Sequence, residues 1–391
     1  MLGTINEERF RLRDLNFRLI IYVIVLSMIG ILVVYSATIN EKSTSLVSTY
    51  VKQIMGVGAG IILMIAVSIL DYKKMLRHAW IPYVFAILLL VYLLLFGREI
   101  YGAKRWYYFP LLGTIQPSEF AKPALIFFLA FVASRLKEKI SAVWGILLFF
   151  LSAMPLVFLV IKEPDLSTTI MLLLITVCAL FIAGVSYKWI VAFILIMIPV
   201  CIFAVIMVYQ PEQTLLNKVL EPHQVERINA YFFPEQFPEK VYQQSTSVMA
   251  IGSGGLFGKG LNTSSLESVK NGNFLSEESS DFIFAVIGEE LGFFGSCVII
   301  LLVALIVFEC FHTAARCNDT TGKIIAGTVG AMFALQSFIN MGVALLLLPN
   351  TGIPLPFVSA GMSSLLSSFL LIGMVLSVSL WGRKSKRGSF S

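Results

Sequence analysis

Five carboxylates lie close together in the segment FLSEESSDFIFAVIGEELGFFG, at residues 274–295, although most of the other residues there are apolar. A positioned carboxylate can act as a general base that takes the proton of a hydroxyl group, and it then contributes roughly 10²–10⁴-fold to a rate. Asp281 can equally cap a helix, because an apolar run follows it. The local pattern leaves base and cap open. The five acids are Glu277, Glu278, Asp281, Glu289 and Glu290.

A second segment, GAKRWYYFPLLGTIQPSEFAKPAL at 102–125, combines cations with aromatic rings. Lys104 and Arg105 stand beside Trp106, which is typical of an interfacial aromatic belt with snorkelling bases and equally of an anion site at the headgroup level. Glu119 and Lys122 follow at i,i+3, so they share one helix face and can pair. Charges inside a spanning helix indicate a functional site by default. A structural ion pair and a substrate contact both remain open for this pair.

Two further segments place charge next to turn-forming residues. In KEPDLSTT, at 162–169, Asp165 can cap the helix that follows or serve as a functional acid. GSGGLFGKG, at 252–260, resembles a phosphate-binding loop, but Ser253 and Gly260 stand where that motif needs a glycine and a Ser or Thr. We therefore expect a tight, mobile turn, whose amides and Lys259 are still able to contact a phosphate.

Prolines and glycines interrupt the apolar segment LLLLPNTGIPLPFVSAGMSSLL at 345–366. Non-helical backbone at membrane depth must line a polar cavity or be buried in protein, because lipid offers it no hydrogen-bond partners. Ser359, Ser363 and Ser364 are the candidate donors towards such a cavity.

The composition indicates which kind of protein positions these residues. Of the 391 residues, 58% are hydrophobic and only 13% are charged, whereas soluble domains carry about 25% charged residues. The chain is therefore a polytopic membrane protein, and its excess of Lys and Arg reflects topology rather than nucleic-acid binding. Five scattered cysteines and three distant histidines predict neither a disulfide framework nor a protein-built zinc site.

Ten apolar runs of about 20 residues, the length that spans a bilayer, predict an all-α integral membrane protein. With both termini in the cytoplasm, more than half of the 29 Lys and Arg residues fall in short inner loops and tails, as the positive-inside rule requires. The first run lacks a clear cleavage site, so we expect a retained helix. A long outer loop covers about 210–280. The predicted spans are 17–37, 48–70, 77–97, 117–135, 144–161, 167–185, 187–209, 281–311, 323–348 and 361–382.

Five motifs occur in order along the chain: GAKRW with QPSEFAK, EPDL, AIGSGGLFGKG, DFIFAVIGEELGF and PNTGIPLPFVS. With the ten predicted helices and the long outer loop, they resemble the SEDS family (shape, elongation, division and sporulation) of RodA, FtsW and SpoVE. The sequence GIPLPF is closer to RodA. The resemblance covers the whole chain, so 1–391 is expected to form a single SEDS-type transmembrane domain. It implies a multi-pass protein of the bacterial plasma membrane that polymerises lipid II into peptidoglycan on the outer face, in cell elongation or division.

The resemblance also assigns residues to roles, with Asp281 as the family's essential aspartate. Lipid II carries its sugar on pyrophosphate through an α bond, and the polymer is β-1,4 linked. The transfer therefore inverts and needs a base but no covalent nucleophile. The departing pyrophosphate needs cations, either lysine and arginine side chains or a Mg²⁺ or Mn²⁺ ion shared with the substrate, and no built-in cofactor is expected. The residues assigned to substrate binding are Lys104, Arg105, Trp106, Glu119, Lys122, Asp165, Gln243, Lys259, Ser359, Ser363 and Ser364.

The chain departs from the family pattern around this site. The usual P-E-x-H-T-D is SEESSD at 276–281, which places Ser279 and Ser280 before the aspartate, and the usual S-Y-G-G-S-S is SAGMSS at 359–364. An expected asparagine and glutamine are Ala344 and Thr246. These changes bear on rate, substrate variant or partner dependence more than on fold.

Two other functions are compatible with the same residues. A broken helix and buried charges also suit a transporter of a lipid-linked cell-wall precursor, although the chain shows no strong internal repeat. The lost histidine, threonine and tyrosine suit a non-catalytic scaffold. As a polymerase, the protein is expected to bind lipid II and to work with a class B penicillin-binding protein, a transpeptidase that docks through its own membrane helix.

Overall fold

A computed structural model of the chain describes residues 14–39, 47–97, 105–109, 113–210, 222–262 and 279–382. A β-hairpin pairs β1 (Tyr107–Phe109) with β2 (Gly113–Ile115) in antiparallel register. The remaining regular structure in these ranges is helical. The α-helices are α1 (Phe17–Thr38), α2 (Thr49–Ile69), α3 (Tyr72–Leu76), α4 (Trp80–Phe96), α5 (Pro117–Leu136), α6 (Val143–Lys162), α7 (Leu166–Ile182), α8 (Tyr187–Val208), α9 (Pro222–Phe232), α10 (Pro238–Ser253), α11 (Ile283–Arg316), α12 (Thr320–Ala344) and α13 (Met362–Trp381).

The predicted all-α membrane architecture is confirmed. Helices α1, α2, α4 to α8 and α11 to α13 coincide with the ten predicted spans to within a few residues at most ends. Among the described residues, seven helices are at least 18 residues long and apolar enough to cross a membrane, and α4 and α7 are shorter apolar helices. The cytoplasmic placement of both termini stays a prediction.

Helix α13 forms the centre of the bundle. In its most apolar window 83% of the residues are buried, compared with 7% in the peripheral helix α8. Helix α2 packs directly on α13, and Gly60 makes this close approach possible. A β-carbon at Gly60 would lie 2.2 Å from the ring of Phe369, so any larger residue would separate the two helices.

Helix α11 is interrupted at Gly292, whose backbone angles are φ 67° and ψ −162°. The interruption removes helical partners from the backbone groups around it. The segment 254–260, here called the glycine loop, replaces them through four backbone hydrogen bonds. These run from Lys259 N to Glu289 O (3.0 Å), from Gly260 N to Glu290 O (3.0 Å), from Phe293 N to Gly255 O (2.9 Å) and from Phe294 N to Leu256 O (3.1 Å).

The predicted tight turn is therefore present, but α11 holds it in place. Gly258 shows how closely the two backbones approach: its φ is +78°, and a β-carbon there would lie 2.1 Å from the carbonyl oxygen of Glu290. Only glycine fits this position without moving the backbone. The glycine loop thus bonds the residues of α11 on both sides of the interruption at Gly292.

Two helices, α9 and α10, lie inside the long segment that was predicted as a loop. Pro222 and Pro238 stand at their first positions, where proline is tolerated because the first amides of a helix have no helical partner. Helix α10 packs on the end of α12. The side chain of Gln244 donates to the carbonyls of Val343 (3.0 Å) and Leu348 (2.9 Å).

Candidate active site

Asp281 lies immediately before the start of α11, where three successive carbonyls anchor the backbone. Helix α11 takes Phe282 as its N-cap, without a side-chain capping bond, so the cap interpretation of Asp281 is wrong. The carboxylate instead lies next to Gly352, where a β-carbon would be 3.2 Å from its Oδ2. The anchoring bonds run from Ala360 N to Ser279 O (2.7 Å), from Ser359 Oγ to Ser280 O (2.6 Å) and from Asn340 Nδ2 to Asp281 O (2.9 Å).

The broken segment 345–361 contacts the region of Asp281, and its residues 355–359 are buried in protein, which is one of the two alternatives predicted for it, whereas Leu345, Leu346 and Leu347 are exposed. Ile353, Leu355, Phe357 and Val358 are each 7% exposed or less. Side-chain amides from three helices supply the hydrogen bonds that lipid would deny this backbone. They run from Gln53 to Val358 O and Ser359 O (both 3.3 Å), from Gln336 to Pro354 O (2.9 Å), from Asn340 to Ile353 O (2.8 Å) and from Gln244 to Leu348 O (2.9 Å).

The predicted ion pair between Glu119 and Lys122 is confirmed. Lys122 Nζ lies 2.7 Å and 2.8 Å from the two carboxylate oxygens, and the two side chains are 4% and 7% exposed for Lys122 and Glu119. Lys122 also donates to Gln336 Oε1 at 3.5 Å. Gln336 in turn donates to the carbonyl of Pro354, so the buried ion pair is connected to the broken segment through this glutamine. Its contact with substrate stays a prediction.

Asp165 caps helix α7, as one of its two interpretations predicted. Its carboxylate accepts from Thr168 N (3.0 Å) and Thr168 Oγ1 (2.9 Å), and from the side chain of Gln116 at 2.8 Å. The backbone N–H of Gln116 donates to Ser363 Oγ at 2.7 Å. Gln116 therefore joins the hairpin, the turn between α6 and α7, and the start of α13.

Arg105 packs its guanidinium against the same turn. Its Nε donates to the carbonyl of Glu163 at 3.0 Å, and a second nitrogen donates to the carbonyl of Pro164. Burial lowers the pKa of Arg105, and the nearby Asp165 opposes that shift. The carboxylate of Glu163 is fully buried, and neither oxygen finds a hydrogen-bond partner among the described residues. Burial, with a smaller contribution from Asp165, raises the pKa of Glu163 to about 9.

Lys259 and the buried acids of α11 are connected to the glycine loop. Lys259 Nζ lies 2.7 Å from Glu289 Oε1, with 25% of the lysine side chain exposed and 2% of the glutamate. Ser36 donates from α1 to Glu290 Oε1 at 2.6 Å and accepts from Asn262 N at 2.9 Å. Both acids therefore serve the contacts that hold the interrupted helix.

The remaining predicted substrate-binding residues have different surroundings in the structure. Ser359 accepts from Leu355 N at 2.7 Å in addition to its bond to Ser280, and Ser364 donates to Gly361 O at 3.1 Å. Trp106 and Gln243 are half-buried. Lys104, Glu277 and Glu278 lie outside the described residues.

Sequence reasoning missed the side-chain amides Gln53, Gln244, Gln336 and Asn340, each of which is at most 4% exposed. Gln53, Gln336 and Asn340 could have been identified from the sequence, because they lie within predicted membrane helices, where a side-chain amide must find a partner in the protein. Within the described residues no group of three or more His, Cys, Asp and Glu side chains could hold a metal ion.

Comparisons with known proteins agree with this architecture. The model of the cell cycle protein family FtsW/RodA/SpoVE matches residues 17–384. A probable peptidoglycan glycosyltransferase FtsW from Trichlorobacter lovleyi is 32% identical over 383 residues, which cover 96% of each chain. The peptidoglycan glycosyltransferase RodA of Treponema pallidum is 29% identical over 432 residues, covering 93% of this chain and 97% of that protein. Both names occur at similar identity, so the leaning towards RodA stays a prediction.

Solved structures share the fold. A chain of a peptidoglycan synthase complex, described for its coordination of polymerization and crosslinking, superposes with a TM-score of 0.74 at 25% identity, over 93% of this chain and 97% of that one. The rod shape determining protein RodA of Thermus thermophilus superposes with a TM-score of 0.67 at 26% identity, over 95% and 98%. On this evidence the chain belongs to the FtsW, RodA and SpoVE family of cell cycle proteins.

Proposed function

We propose that this protein is a peptidoglycan glycosyltransferase that polymerises lipid II at the outer face of the bacterial plasma membrane. The observation that carries the proposal is the placement of Asp281. Asp281 is partly exposed with its carboxylate beside Gly352, while the carbonyls of residues 279, 280 and 281 accept hydrogen bonds from Ala360 and Ser359 of the broken segment and from Asn340 of α12. The names of the relatives at 29–34% identity over most of the chain support the same activity.

In this proposal Asp281 is the general base. It takes the proton from the sugar hydroxyl of the acceptor as that oxygen attacks the anomeric carbon of the donor, and the bond to pyrophosphate breaks with inversion. Holding the base in position next to the reacting hydroxyl lowers the activation free energy, because the loss of entropy on positioning it has already occurred during folding. The amides of Gln336 and Asn340 and the pair Glu119–Lys122 stiffen the segment against which Asp281 rests.

A Mg²⁺ or Mn²⁺ ion at this site would take most of its ligands from the pyrophosphate of the substrate. Among the described residues no three acidic, histidine or cysteine side chains form a cage, whereas Mg²⁺ commonly binds one or two carboxylates together with substrate phosphates. We also propose a class B penicillin-binding protein as partner, which cross-links the polymer. The similarity to a chain of a peptidoglycan synthase complex supports that pairing.

The test is polymerisation of labelled lipid II by the purified protein with its cognate transpeptidase. We expect polymer from the unchanged protein and a loss of roughly 10²–10⁴-fold from Asp281→Ala, the range for removing a general base. Asp71→Ala is the matched control, because Asp71 also stands at a helix start, where it caps the five-residue α3, and we expect it to retain activity.

Equal polymer from Asp281→Ala would remove Asp281 as the base. A well-folded complex that makes no polymer would contradict the polymerase assignment. A lipid II flipping assay in liposomes would then separate a transporter from a scaffold.

A further inference from the structure

A cavity of about 470 Å³ lies between the ends of α5, α7 and α12. Helix α12 shows where this cavity is in the bundle. Asn340, near one end of the helix, bonds the backbone of Asp281, whereas Thr320 begins the helix and lines the cavity. From 320 to 340 the helix rises about 30 Å, at about 1.5 Å per residue. The cavity is therefore remote from the proposed active site and belongs to the opposite end of the bundle.

The wall of the cavity carries three polar side chains that can bind a ligand. Lys137 follows the last residue of α5, and Thr320 and Thr321 belong to the first turn of α12. Within the described part of the chain, no hydrogen bond or ion pair engages the Lys137 ammonium or the two hydroxyls. Asp319 does not balance the lysine, because its carboxylate accepts from Tyr72 Oη and from a backbone N–H of α12 (3.0 Å). The dipole of α5 favours a cation at position 137, but it does not explain the cavity or the hydroxyls on its other wall.

The cavity lies at the level of the membrane headgroups. Exposed Trp and Tyr side chains mark the boundary between hydrocarbon and water, and here Trp144 and Tyr187 are 79% and 71% exposed at the starts of α6 and α8. The indole of Trp189 donates at 3.0 Å to the carbonyl of Ser141, a residue that lines the cavity. The aromatic layer therefore reaches the wall of the cavity itself.

The surroundings of the cavity carry an excess of positive charge. The run RLKEK at 135–139 holds three cations and one acid, and Lys188 and Lys323 are exposed at the same end of the bundle. The positive-inside rule assigns short basic loops of this kind to the cytoplasmic side, where anionic lipids attract lysine and arginine. Such surroundings favour an anionic ligand in the cavity.

We propose that this cavity binds the phosphate headgroup of an anionic phospholipid. Basic pockets between membrane helices on the cytoplasmic side bind such headgroups, and ligand sites have volumes of about 300–1,000 Å³. Lys137 donates charge-assisted hydrogen bonds to the phosphate oxygens, and Thr320 and Thr321 donate from the other wall. Phe181, which is 60% exposed in the last turn of α7, gives the acyl chains an apolar surface. The aromatic layer favours a lipid over a soluble phosphate compound.

The test is binding of phosphatidylglycerol to the purified full-length protein in detergent, with the fraction that retains one lipid measured by native mass spectrometry. We expect Lys137→Met to weaken binding about tenfold or more, as loss of a hydrogen bond to a charged group does. Lys139→Met is the matched control: it removes a charge from the same turn, but Lys139 is not among the residues that line the cavity. Its loss should weaken binding at most about fivefold, the effect of one surface charge. Thr321→Val removes a hydroxyl and no charge, and it should weaken binding about fivefold.

Two further titrations identify the ligand. Phosphatidylcholine, whose choline group carries a compensating positive charge, should bind more weakly than phosphatidylglycerol, and glycerol 1-phosphate should not displace the lipid. Equal effects of Lys137→Met and Lys139→Met, together with full binding by Thr321→Val, would attribute the binding to surface charge alone and overturn the proposal. Displacement by glycerol 1-phosphate at equal concentration would overturn it in favour of a soluble phosphate compound. Thr321→Val keeps the shape and the charge of the wall, so it decides the question if the Lys137→Met protein does not fold. None of these measurements depends on glycosyltransferase activity.

Discussion

Asn340 offers a direct test of whether the buried amides position the proposed base. Its side-chain nitrogen donates to the carbonyl of Asp281 at 2.9 Å and to that of Ile353 at 2.8 Å. Asn340→Leu keeps a similar volume and removes both bonds. The variant should therefore remove one of the three bonds that anchor the backbone around Asp281, the one to Asp281 itself, while leaving the carboxylate in the chain.

The expected loss of stability follows from those two bonds. At the average of about 0.6 kcal/mol measured for side-chain hydrogen bonds between membrane helices, the loss would be about 1.2 kcal/mol. If each carbonyl were left without any partner, at about 1–3 kcal/mol each, it would reach about 2–6 kcal/mol. Because Asp281 is only partly buried whereas Ile353 is buried, we expect a value between these limits, about 1–3 kcal/mol.

The expected loss of activity is larger than the loss of stability suggests. A misplacement of about 1 Å at a reacting group can cost about 10²-fold, so we expect Asn340→Leu to lower the rate of lipid II polymerisation by about that factor. Gln244→Leu is the matched control, because Gln244 also donates two bonds to carbonyls near the broken segment but does not contact Asp281. It should lose similar stability and much less activity.

Thermal unfolding in detergent and polymerisation of labelled lipid II measure the two effects separately. Equal losses of activity in the two variants would show that Asn340 acts only through stability. Full activity in a folded Asn340→Leu protein would refute the positioning role.

Three further predictions concern the glycine loop and the turn before α7. Gly258→Ala should destabilise the fold by several kcal/mol in thermal unfolding, because its β-carbon would lie 2.1 Å from Glu290 O. At Gly260 a β-carbon would meet no atom within 4 Å, so Gly260→Ala should cost only the strain of a positive φ, about 1 kcal/mol. Equal losses of stability in the two variants would contradict the close approach at Gly258. Lys259→Met should destabilise the protein because it removes the cation paired with the buried Glu289. Adding Glu289→Gln should recover part of the loss, so an additive double-mutant cycle would argue against the ion pair. Glu163 has a pKa raised to about 9. The pH-dependent cost of its burial is therefore zero below the unfolded pKa of about 4.3 and grows by up to about 1.4 kcal/mol per pH unit from there to about pH 9. Glu163→Gln should therefore gain stability over the unchanged protein between pH 5 and pH 8, and a constant difference in unfolding temperature would count against the buried acid.

Local rules predicted the helices and the contacts that lie within one helix turn. The ten spans follow from the apolar length that a bilayer demands. The pair Glu119–Lys122 and the cap at Asp165 follow from spacings of three residues. The helices α9 and α10 escaped prediction because their prolines indicate loops until they are placed at a helix start.

Long-range contacts could not be predicted from such rules. Lys259 and Glu289 are 30 residues apart, Asn340 and Asp281 are 59 apart, and Ser36 and Glu290 are 254 apart. No spacing rule connects residues at these separations. The interruption at Gly292 escaped prediction for the same reason, since a glycine within an apolar run marks a break only when another backbone approaches it.

Four of the positions that depart from the family pattern make their contacts here through backbone atoms. Ser279 and Ser280 anchor the region of Asp281 through their carbonyls, and Ala360 contributes its N–H. Ala344 likewise accepts from Ser247 Oγ through its carbonyl, at 2.8 Å. A side-chain replacement at any of these four positions leaves the corresponding bond in place. The anchoring of Asp281 therefore does not depend on the side chains of Ser279, Ser280 and Ala360, so these three differences are compatible with Asp281 as the proposed base.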